Sequence, residues 1–141
     1  MIRSASIALA MSVTCAAHAD PKIGDTLACT SKDPAKRLYA VVGRIEPFGK
    51  DRSAAQITLI NETPGAAPGQ AAHIPIDLTV LGSSCPKLAD TPRKLNPNFA
   101  AGRQQWIEAR GGVFTIPVDE IDEILHDQIA RAKATNREPA P

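Results

Sequence analysis

Apolar residues recur along this chain at two spacings, and the change from one to the other predicts its elements. From Arg37 to Phe48, Tyr39, Val41, Gly43 and Ile45 fall on one face and Leu38, Ala40 and Val42 on the other, so the first half is apolar on both sides. That pattern fits a central strand. Pro47-Phe48-Gly49-Lys50-Asp51-Arg52 supplies turn residues, and Ala55-Gln56-Ile57-Thr58-Leu59-Ile60 alternates with period two. Residues 37–61 therefore read as an antiparallel hairpin. A short opening strand is expected within 22–30, on Ile23, Leu27 and Cys29.

After a loop rich in proline and glycine at 62–70, one pattern occurs twice: Ile74-Pro75-Ile76-Asp77 and Ile116-Pro117-Val118-Asp119. Both read as strand-to-helix corners. Proline cannot donate to a strand ladder, and aspartate is placed to accept from the first free amides of a helix. Behind the second copy, Ile121, Ile124, Leu125, Ile129 and Ala132 form one stripe, with acids in the first turns and Arg131 and Lys133 in the last, which complements the helix dipole at both ends. Behind the first copy, residues 78–84 fit a short helix slightly better than a strand. A further helix is signalled by Asn96 as cap, Pro97 at its first position, Phe99, Trp106 and Ile107 at compatible spacing, and Gly111-Gly112 as the stop. Val113-Phe114-Thr115-Ile116 is the strand that follows. The order implies an α+β fold: a small mixed or antiparallel sheet of about five strands, with two to three helices packed on one face.

The N-terminus carries a different pattern. Arg3 gives a positive start, Ile7 to Val13 an apolar middle, and Ala17-His18-Ala19 the small residues of a cleavage site ahead of Asp20. Residues 1–19 are expected to be a cleavable signal peptide, with the product periplasmic or secreted after cleavage near Ala19. Residues 20–134 then form a single globular domain. Residues 135–141, with Asn136, Pro139 and Pro141 and no apolar periodicity, form a frayed tail.

Composition narrows the class. With 43% hydrophobic and 22% charged residues over 141 positions, and no period in its prolines and glycines, the chain is neither fibrous nor wholly disordered. Loss of the leader removes one basic residue, Arg3, and no acidic one, so 16 basic residues become 15 against 15 acidic. A neutral domain lacks the basic excess that nucleic-acid binding needs. The leader's apolar run is too short to span a bilayer, so no transmembrane segment is expected in the mature chain. Two cysteines, Cys29 and Cys85, remain after cleavage in a chain bound for an oxidising compartment, and a disulfide between them is expected.

Candidate chemistry is sparse. Only His73 and His126 remain for proton transfer, and no serine lies in an activating motif. His73 with Asp77 or Asp25 is the one enzymatic arrangement the sequence offers, but on one strand His73 and Asp77 stand about 13 Å apart. Asp122, Glu123 and His126 have helical spacing compatible with metal ligation, although the acids are equally explained as partners of the helix dipole. No cofactor loop is present, and none is expected to bind.

Phe99-Ala100-Ala101-Gly102 through Trp106, followed by Gly111-Gly112-Val113-Phe114-Thr115-Ile116, resembles small exported bacterial proteins of unassigned function. The resemblance implies export and one compact domain, and it assigns no ligand residue. The expected function is that of a small, disulfide-linked, non-catalytic binding or accessory protein of the cell envelope, whose partner is a protein or envelope component. The alternatives are a periplasmic enzyme using His73 and a metal-binding domain using Asp122, Glu123 and His126. The expected contact surface lies on the hairpin tip and the proline-rich loop: Lys50, Arg52, Gln70 and His73.

Overall fold

The computed structural model describes residues 20–136; the expected signal peptide, residues 1–19, and residues 137–141 of the expected tail lie outside the described residues. The hairpin forms where its pattern places it, from β2 (Leu38–Pro47) and β3 (Ser53–Asn61). Flanking them are β1 (Thr26–Cys29), β4 (Gly69–Asp77) and β5 (Lys87–Leu88), giving an antiparallel sheet in the order β4-β3-β2-β1-β5. Strand β1 is shorter than the apolar positions suggest. Lys22 and Asp25 close a turn on each other, with Gly24 at φ +93°, and the ladder begins only after it.

Among the described residues three helices complete the α+β fold: α1 (Leu78–Ser84), α2 (Phe99–Glu108) and α3 (Val118–Asn136). One face of the sheet presents Leu38, Ala40, Val42, Ala55, Ile57, Leu59, Ile74 and Ile76, and these pack with Leu81 of α1 and Val118 and Ile121 of α3 into one buried cluster. The helices do not all pack on this face. Helix α2 lies on the opposite face, because β2 bulges between Val42 and Arg44 and leaves Gly43 as a notch for Phe99. A Cβ on Gly43 would come within 2.5 Å of the Phe99 ring, so the notch requires glycine.

The two proline corners behave differently. Asp77 caps α1, its Oδ1 accepting from the amides of Thr79 and Val80 at 2.9 and 3.2 Å. Asp119 caps nothing: α3 starts two residues before such a cap would place it, at Val118 with its first bonds on the Pro117 carbonyl, and the Asp119 carboxylate turns to the β1–β2 loop. Asn96 and Pro97 do not begin α2 either. The Asn96 side chain accepts from the Asn98 amide in a local turn, and the helix starts at Phe99. At its other end Arg110, at φ 51°, takes the left-handed position expected of a glycine. Gly111 is needed for a different reason, since the Trp106 indole occupies the space a Cβ would fill.

The strand expected at 113–116 reduces to one parallel bridge between Phe114 and Ile76. Phe114 donates to the Pro75 carbonyl and accepts from the Asp77 amide, both on the outer side of β4. Pro117 cannot extend the ladder. Cys29 and Cys85 form a disulfide, which draws Lys87–Leu88 alongside β1 as the two-residue β5. Helix α3 continues through Thr135 and Asn136, past the point where a frayed tail is expected. None of the described helices is long and apolar enough to cross a membrane.

Candidate functional site

On the α2 face the alternation of β3 points Gln56 inward, where it is fully buried. Its amide bridges two strands: Nε2 donates to Glu46 Oε1 at 3.0 Å, and Oε1 accepts from His73 Nε2. The Gln56 oxygen can only accept, so Nε2 of His73 carries a proton. From α2, Arg103 places Nη2 2.6 Å from Glu46 Oε2 and Nε 3.3 Å from Oε1. The hydrogen bonds from Arg103 hold the Glu46 carboxyl below the usual carboxylate range against the opposing effect of burial. Burial pushes the His73 pKa down, Arg103 acts in the same sense, and Glu46 opposes both. The imidazole lies edge-on to Phe99 and tilted to Trp106, with centroids 5.7 and 6.1 Å away. This network fastens α2 to the sheet and presents no nucleophile.

Neither aspartate named as a partner for His73 reaches it. Asp77 caps α1 and accepts from Arg52 at 2.9 Å, while Asp25 accepts from the Lys22 amide. The residues that do meet His73 come from three other elements, and no sequence spacing links them. The hydroxyls of Ser31, Ser83 and Ser84 are bound to Asp119, the Thr79 carbonyl and the Val118 amide.

The helical trio is also divided. Asp122 is 3% exposed, and its carboxylate accepts from Lys36 Nζ at 2.7 Å and from Asn61. The same ammonium also reaches Asp119, so the Asp122 carboxylate is already neutralised within the fold. Glu123 points to solvent, and His126 Nε2 lies 3.7 Å from Asp122. Among the described residues no three ligating side chains converge.

Beside this ion pair the fold opens. The sheet supports α3 only along its first two turns, and a helix of 19 residues is about 28 Å long. Past Leu125 it stands clear of the core and leaves Ile129 52% exposed, and within the supported turns Ile124 turns partly outward and is 40% exposed, although both fall on the stripe expected to be buried. A groove of about 290 Å³ lies between α3 and the sheet, lined by Leu59 and Ala71 on one wall and Leu125 and Ile129 on the other. Gly69, Gln70 and His126 form its rim, with Asn61 and Asp122 at its inner end. Its lining is mostly apolar. Concave apolar surface with a few polar groups is the usual form of a binding site.

The four residues of the expected contact surface are spread along the sheet rather than gathered at one point. Arg52 stands by Asp77, opposite Ala54, whereas Gln70 pairs with Ile60, six residues along β3 and so about 20 Å away. Lys50 lies in the hairpin turn, and His73 is half-buried under α2. Only Gln70 borders the groove, and it also accepts from Asn96 Nδ2 at 2.9 Å. No protein-family model, curated protein or solved structure matches the chain.

Proposed function

We propose that this chain is a small exported, disulfide-linked, non-catalytic binding module of the cell envelope, and that it holds a protein partner in the groove between α3 and the β3–β4 end of the sheet. The observation that carries the reading is the exposed apolar wall of α3: Leu125 and Ile129 face Leu59 and Ala71 across open space. Large apolar groups grouped around a concavity mark an interaction site more often than single exposed ones do. The leader pattern at 1–19 and the Cys29–Cys85 disulfide support a place outside the cytoplasm. The dispersed partners of His73 and the ammonium on Asp122 favour binding over catalysis or metal ligation.

The test compares wild type with Ile129→Asp, each immobilised and exposed to a detergent extract of the envelope. A protein retained in equal molar amount by wild type and lost by the variant is expected. Identical sets of retained proteins would count against the groove.

A further inference from the structure

The groove has a feature that its apolar walls alone do not explain: one side of it is an open strand edge. Strand β4 ends the sheet, and the 113–116 segment covers only its far end, through Pro75 and Asp77. The backbone of His73, two residues before Pro75, faces the same outer side. Among the described residues, no backbone group outside the sheet pairs with the outer side of 69–73. Three successive residues of this uncovered run, Gly69, Gln70 and Ala71, line the groove.

The two sheet edges differ in how they are protected. Strand β5 is two residues long, begins at Lys87 and follows Pro86, all features that discourage pairing with another chain. The run Gly69-Gln70-Ala71-Ala72-His73 has neither proline, lysine nor carboxylate. Its length is limited instead by a bulge, since Ala71 pairs with Leu59 and Ile74 with Ile57, and the Ala72 carbonyl accepts from Thr58 Oγ1. Five residues span about 16 Å, enough for a short segment.

Building on the proposed binding role, we infer that the occupant of the groove is an extended segment of a partner protein that adds to the β4 edge along 69–73. It places one large apolar side chain between Ile129 and Ala71. Main-chain hydrogen bonds to the edge supply affinity, and the apolar slot under α3 selects the side chain. A helix would leave the edge unpaired, and a lipid chain would make no use of it.

The probe is the nonapeptide Lys-Thr-Val-Thr-Leu-Thr-Val-Thr-Lys, blocked at both ends, added to the purified protein with its disulfide formed. Three results are expected. The peptide binds; hydrogen exchange of those amides in 69–73 that face away from β3 slows at least tenfold; and N-methylation of alternate peptide amides, or replacement of its Leu by Asp, weakens binding at least tenfold. Binding that is unchanged by N-methylation, with no protection at 69–73, would overturn strand addition and leave the groove as a contact site. Absence of binding by the peptide overturns strand addition. If Ile129→Asp also retains the same envelope proteins as wild type, the binding role fails with it.

Discussion

The ammonium of Lys36 lies 2.7 Å from the carboxylate of Asp122 and 2.9 Å from that of Asp119, so one cation on the β1–β2 loop secures the first turns of α3. Burial works against the Lys36 charge, but hydrogen bonds to both carboxylates prevail and raise its pKa. For Asp119, burial would raise the pKa, and hydrogen bonds from Lys32, Lys36 and Ser31 bring it below the usual range. Removing the cation leaves two buried carboxylates side by side with only neutral hydrogen-bond donors, Ser31 and the Lys32 amide for Asp119 and Asn61 for Asp122. Lys36→Met is expected to cost about 3 kcal/mol of stability, read from urea unfolding at pH 7. A cost under about 1 kcal/mol would show that water or another group replaces it.

Acid should loosen α2 before it unfolds the core. The folded-state pKa of His73 is depressed from 6.5, so the neutral ring is the one the fold prefers. Its contribution is present above the unfolded value and is lost as pH falls through the folded one. The charged groups facing it are Arg103 on α2 and Glu46 on β2. The urea midpoint of wild type is expected to drop between pH 7 and pH 5, and that of His73→Gln to drop less. Equal slopes would remove His73 from the account.

Gly43→Ala puts a methyl group against the Phe99 ring at 2.5 Å and Leu95 at 3.0 Å. Overpacking of this kind costs about 2 kcal/mol. Trp106, the chain's single tryptophan, rides on α2 and reports the displacement. A red shift of its fluorescence is expected without loss of the β-sheet signal in circular dichroism.

Reduction of the Cys29–Cys85 disulfide frees a loop whose ends are 56 residues apart. In the chain-entropy view, closure of a loop this long contributes about 4 kcal/mol. The double variant Cys29→Ala/Cys85→Ala is expected to unfold at lower urea, and a midpoint equal to that of the oxidised protein would contradict this.

Local patterns made several elements legible and left the sites hidden. The hairpin of β2 and β3 follows from residues adjacent in sequence: a continuous apolar run and an alternating one on either side of a turn that holds Gly49 and three charged residues. Asp77 could be read as a cap because capping is decided within three residues. The second face of the sheet could not be read this way. Gln56 and Thr58 look like outward polar positions on β3, yet they are buried beneath α2, and only the fit of Phe99 into Gly43 reveals it. The groove was hidden for a related reason. Helical periodicity places Ile129 on the stripe of Ile121, but it does not show that the sheet ends before the helix does.

Photo-crosslinking from position 129 tests occupancy of the groove in the cell. A benzophenone amino acid replaces Ile129 in one protein and Ile107, exposed on α2, in another, and each is irradiated in intact cells that make it. One dominant adduct is expected from position 129, with the partner's crosslinked residue in a segment of alternating apolar and polar residues, and no such adduct from position 107. An adduct from position 107 alone would place the contact on the other face of the sheet and contradict the groove.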